Sequence, residues 1–119
     1  MVRSTWAELT ADLSPSDLEL LAGYREFCRA LPGVHEEVHS SEVQYRVKRI
    51  FTSAYMKSHY LEIGVELIRE AEHPQLRTSF ATSRRVTMHR LTLTTVKQLQ
   101  STFDLIREAR ETVGPGFRG

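Results

Sequence analysis

The chain is poor in the residues that build specialised sites. It has a single cysteine, Cys28, which excludes an intramolecular disulfide and a cysteine-based zinc site. Its six glycines are scattered, so there is no phosphate-cradling loop and no glycine-flanked serine elbow. No apolar run approaches the roughly 20 residues that span a bilayer. Neither sign of charge dominates. Sixteen basic residues face fifteen acidic ones for a net charge of +1, so no global field draws the protein to nucleic acid or an anionic membrane. The opening Met1-Val2-Arg3-Ser4-Thr5-Trp6 lacks the apolar core of a secretory signal. The expectation is a cytoplasmic protein with no membrane contact and no implied cofactor.

What is present is an ordinary globular mixture. Of 119 residues, 40% are hydrophobic and 26% charged, which suits one domain with its own core. Thr5-Trp6-Ala7-Glu8 has the form of a capping box opening a short helix. Ser14-Pro15 interrupts it and starts a second: Ser14 as N-cap, Pro15 in the first turn, Asp17 at the positive end of the dipole. Leu18, Leu21, Tyr24, Phe27, Cys28 and Leu31 then recur at helical spacing until Pro32-Gly33.

Beyond Val38 the period falls to two. Val43, Tyr45 and Val47 alternate with polar residues, Phe51 to Tyr55 reads as a second strand, and Lys57-Ser58-His59 as a turn. Leu61, Ile63, Val65 and Leu67 alternate with Glu62, Gly64 and Glu66 in the clearest strand of the chain. His73 to Ser83 reads as a polar connection, Val86 to Leu93 as a fourth strand. Thr94 or Thr95 caps one last helix with Val96, Leu99, Phe103, Ile106 and Ala109 as its stripe. The expected fold is α+β: a four-stranded, mostly antiparallel sheet with N-terminal helices and a C-terminal helix packed on one face. Residues 1–113 form the domain and 114–119 a flexible tail.

Three stretches carry a family resemblance. They are Val38-His39 entering the first strand, Glu72-His73-Pro74-Gln75-Leu76-Arg77, and Met88-His89-Arg90-Leu91 followed by Leu93-Thr94-Thr95 and an amphipathic helix. Over residues 18–112 the chain resembles a small bacterial domain of unknown function, found free-standing and at the C-terminus of predicted-transport-type proteins. The resemblance implies a fold and points to His39 and His89 as positions of interest. It implies no activity. The chain departs from the family pattern at Ser40-Ser41-Glu42, where proline, threonine and a basic residue are expected, which weakens an anion-binding role for the first strand.

Three constellations have chemical potential. His35-Glu36-Glu37-Val38-His39 matches the zinc-protease pattern of two histidines at i and i+4 with a glutamate base. That chemistry needs a helix, so that both imidazoles reach one metal. Here a helix has just ended and a strand follows, so a polar loop is the expected form. The second set is His39, Tyr45, Tyr55 and His89, which could line a pocket for a ligand; His89 shares a strand face with Leu91 and Leu93, where a histidine usually satisfies hydrogen bonds. The third is a basic group, Arg77, Arg84, Arg85 and Arg90, interleaved with hydroxyls that could hold an anion. Arg46, Lys48 and Arg49 could extend it, with Tyr45, Phe51, Tyr55 and Tyr60 as stacking platforms. Cys28 falls on an apolar helical stripe and reads as buried and inert.

The function expected from these features is a non-catalytic binding module for a small molecule or a protein partner. The alternative is a nucleic-acid-binding accessory domain. A small zinc-dependent hydrolase through His35, Glu36 and His39 comes third. A homodimer through an exposed strand edge is compatible with each.

Overall fold

The computed structural model describes residues 4–116. Two helices come first. In α1 (Trp6–Thr10) the capping box forms as expected, the Thr5 hydroxyl accepting from the Glu8 amide while the Glu8 carboxylate accepts from the Thr5 amide. In α2 (Pro15–Arg29) the Ser14 hydroxyl accepts from the Asp17 amide. This helix buries Leu20, Leu21, Tyr24 and Cys28, whereas Leu18, expected on the same stripe, is exposed.

The sheet has six strands, not four. They are β1 (His35–Val38), β2 (Val43–Arg46), β3 (Ile50–Lys57), β4 (Tyr60–Leu67), β5 (Leu76–Ala81) and β6 (Thr87–Leu93). Their spatial order is β1-β2-β3-β4-β6-β5, and every pairing is antiparallel. Sequence periodicity misses the two edge strands for a common reason. An edge strand is paired on one side only and is half solvated, so apolar residues need not alternate along it. His35-Glu36-Glu37-Val38 is polar, and Leu76 to Ala81 buries no residue fully. Pairing to a neighbour, not composition, makes both of them strands.

The β3–β4 hairpin turns on Ser58 and His59, both at positive φ (49° and 69°). Lys57 pairs directly with Tyr60, so this is a two-residue loop of the kind that matches strand twist. Between β2 and β3 the register shifts, leaving Phe51 unpaired between Ile50 and Thr52. The bulge lets the consecutive residues Phe51 and Thr52 both be buried.

Alternation along β4 divides the sheet. Leu61, Ile63, Val65 and Leu67 lie on one face with their register partners Ala54 of β3 and Leu91 and Leu93 of β6, all buried. The helices meet this face. The Tyr24 hydroxyl of α2 lies 2.9 Å from Thr52 Oγ1 of β3, and Thr52 donates onward to the Gly64 carbonyl (2.7 Å). The expected single C-terminal helix is bent into α3 (Val96–Gln100) and α4 (Phe103–Thr112). At the bend the buried Thr102 hydroxyl donates to the Leu99 carbonyl (2.7 Å), competing with the helical backbone. Ile106, Ala109 and Val113 enter the core, and Phe103 stacks on Phe27 at 3.9 Å, setting α4 beside α2.

Gly114, read from the sequence as the start of a loose tail, is buried, and its carbonyl accepts from the amides of Lys48 and Arg49 (both 2.9 Å). A Cβ there would lie 2.5 Å from the Arg110 carbonyl oxygen, so only glycine fits this closure. Residues 117–119 of the expected tail lie outside the described residues. No described helix is long and apolar enough to cross a membrane.

Candidate functional site

The His35–His39 segment, expected as a loop, is a strand ending in the turn to β2. An extended chain advances about 3.3 Å per residue, so the α-carbons of His35 and His39 stand about 13 Å apart. Alternation also sends Glu36 to the face opposite His35. The helical zinc geometry is therefore absent, and no three His, Cys, Asp or Glu side chains among the described residues are grouped to hold a metal ion. Glu36 has another role. Arg25 of α2 grips its carboxylate in a fork (2.9 and 3.2 Å), and the Tyr45 hydroxyl donates to it at 2.7 Å. The Arg25 guanidinium also lies 4.2 Å from the Trp6 ring. Partial burial alone would raise the Glu36 carboxyl, but the hydrogen bonds from Arg25 and Tyr45 and the Arg25 charge outweigh it and hold the group below its ordinary value. This network fastens β1 and β2 to α2.

The structure does not gather His39, Tyr45, Tyr55 and His89 into one pocket. Tyr45, Thr52, Val65 and His89 form one cross-strand row. Three strand spacings of about 4.8 Å therefore separate Tyr45 from His89, with two side chains between them. Tyr45 is fully buried with its hydroxyl on Glu36. His39 is buried at the β1–β2 connection, where Nε2 lies 3.1 Å from Gln44 Oε1. His89 has both ring nitrogens committed. Nε2 accepts from the Ala71 amide (2.9 Å), so Nδ1 carries the proton and faces the Val65 carbonyl (3.3 Å). It ties the β4–β5 connection to β6. Tyr55 alternates onto the other face, opposite Glu62. Burial also takes Tyr45 and Phe51 out of the expected stacking platform.

The basic group likewise separates. Arg77 and Arg90 lie on the face opposite the apolar one, while Arg84 and Arg85 sit on the β5–β6 hairpin. Three arginines of that face are matched to carboxylates: Arg46 to Glu37 (2.9 Å), Arg49 to Glu66 (3.4 Å) and Arg77 to Glu62 (2.8 Å). Arg77 approaches Glu62 Oε1 without hydrogen-bond alignment, while Thr92 donates to Oε2. Glu62 is only 1% exposed in this setting.

Arg90 differs. It has no carboxylate partner among the described residues, and its guanidinium leans over the Phe80 ring at 5.8 Å. In its row stand Gly64 and Ser53, with Tyr55 and Thr92 one step along. The hydroxyls of Ser53 and Tyr55 make no hydrogen bond to a described residue. Gly64 leaves the floor between Ser53 and Arg90 without a side chain of its own; a Cβ there would meet the Met88 sulfur at 3.1 Å. Arg90 and Tyr55 stand out in the sequence, but Ser53 does not, because only the strand register makes it their neighbour.

Comparison with known proteins finds no matching family model, no similar curated protein and no similar solved structure.

Proposed function

We propose that the chain is a non-catalytic binding module whose open sheet face holds a single acidic group, a carboxylate or a phosphate monoester, borne by a small molecule or a protein partner. The observation that carries this reading is Arg90, the arginine of that face without a carboxylate partner among the described residues. A guanidinium offers a planar fork suited to such a group, and the hydroxyls of Ser53 and Tyr55 on the same face can add donors beside the Met88 side chain that lies over Gly64. All the described helices pack on the opposite face, so none covers this one, where Ser53, Tyr55 and Arg90 are half-buried. Pairing of Arg46, Arg49 and Arg77 lowers the positive field, and that favours one acidic group over a polyanionic nucleic acid. The non-catalytic part of the reading draws on His89, whose nitrogens are both engaged, and on Cys28, whose thiol is pushed up by burial. Membership of the bacterial domain family is likewise a proposal, and it adds no activity.

A thermal-shift screen of the full chain against small carboxylates, phosphate monoesters and short oligonucleotides tests this. The expected result is a shift with one acidic compound that weakens at least tenfold in Arg90→Ala, about 1.4 kcal/mol, and less in Arg90→Lys. Acidic peptides in the same screen separate a protein partner from a free metabolite. A salt-sensitive shift with oligonucleotides that survives Arg90→Ala would overturn the proposal in favour of nucleic acid.

A further inference from the structure

We propose that two copies of this chain associate edge to edge through β5, antiparallel across a two-fold axis, so that the sheet continues from one protomer into the next. The two sheet edges are finished differently. At β1 the Ser4 amide already donates to the Val38 carbonyl (2.9 Å), the strand is four residues long, and it carries two carboxylates, Glu36 and Glu37. Short strands and charged side chains are the usual means of keeping an edge unpaired. The β5 edge is six residues long and has no lysine or proline within it. Its one charge, Arg77, turns to Glu62. Phe80 stands 44% exposed on it. The bulge at Arg77 confines the regular ladder to Thr78–Ala81, a short contact that suits a reversible dimer.

Charge placement selects the partner as a second copy. The segment leading into β5 is acidic: Glu70 and Glu72 border a groove of about 570 Å³ together with Arg69 and Leu76. The hairpin leaving β5 is basic, with Arg84 and Arg85 both exposed. Neither Glu72 nor Arg84 has an ion-pair partner among the described residues. Antiparallel self-pairing centred on Ser79 sets Thr78 opposite Phe80 and Arg77 opposite Ala81. It brings the basic hairpin of each protomer to the acidic groove of the other, twice by symmetry. Parallel pairing would oppose like charges and is disfavoured.

Sedimentation of the full chain over a range of concentration and salt tests this. The expected result is a monomer–dimer equilibrium that weakens as salt rises. Arg84→Glu should weaken it at least tenfold without changing the circular dichroism of the folded chain, because this side chain is exposed on a hairpin. Glu72→Arg should do the same, and the two substitutions together should restore the dimer. A wild-type chain that stays monomeric at millimolar concentration and low salt overturns the proposal. So does a dimer indifferent to both single substitutions, since that dimer would use another surface.

Discussion

At the scale of single residues, the core is ordered by a short hydrogen-bond chain. Thr52 donates to the Gly64 carbonyl, so its oxygen is left to accept from Tyr24. The two partners are therefore not equivalent. Tyr24→Phe leaves the Thr52 hydroxyl bonded to Gly64, and its cost should stay near the roughly 1 kcal/mol of one hydrogen bond. Thr52→Val keeps the volume but leaves a fully buried phenol with only the weakly accepting Cys28 sulfur beside it, and it should cost about 1–3 kcal/mol. Urea unfolding of the two variants and of the double variant measures this; a Thr52→Val cost no larger than that of Tyr24→Phe would refute the assigned direction. The sequence places Tyr24 and Thr52 only on their own elements. Their meeting depends on how α2 crosses the sheet.

At the scale of elements, the legible parts are those whose apolar residues recur with a regular local period or whose caps are local. The β4 alternation, the apolar face shared by His89, Leu91 and Leu93, and the caps at Thr5 and Ser14 all appear where the sequence puts them. The turn at Ser58-His59 is legible as a turn, but its left-handed geometry comes from the two-residue connection that the Lys57–Tyr60 pairing requires. Serine is strained in that conformation, by about 1–2 kcal/mol for an ordinary side chain. Asparagine tolerates it better and is preferred in such turns. Ser58→Asn should therefore raise the melting temperature. The neighbouring His59 is less free to change, because its Nδ1 lies 2.9 Å from the Asp17 carboxylate. An unchanged or lowered melting temperature for Ser58→Asn, by differential scanning calorimetry, would mean that the turn is relieved in another way.

For the whole molecule, stability against acid depends on carboxylates tied to arginines across elements. Glu36 with Arg25 and Tyr45 joins β1 and β2 to α2; Glu108 with Arg69 joins α4 to the end of β4. Arg69 lowers the Glu108 carboxyl against a smaller opposing effect of burial. Both carboxyls thus have folded values below their unfolded ones. Their stabilisation is fully present above the unfolded glutamate value, about 4.3, and is lost as pH falls through the depressed folded values. Glu36→Gln should lower the melting temperature at pH 7, and the gap to the parent should narrow as pH drops below about 4. A gap independent of pH would show that the loss is one of packing rather than of charge.

The sequence alone determined the α+β class, the helical caps, the central β4 strand and the inward placement of Cys28 and His89, because each follows from local periodicity or from a local backbone requirement. Only the tertiary structure decided the two edge strands, the bend at Thr102, the closure at Gly114 and the separation of His39, Tyr45, Tyr55 and His89. It also decided which arginine of the open face is left without a carboxylate among the described residues. The physical reason is common to all of these. Strand pairing, register and cross-sheet ion pairs join residues far apart in the chain, and local periodicity carries no record of which distant partner a half-buried polar side chain will meet.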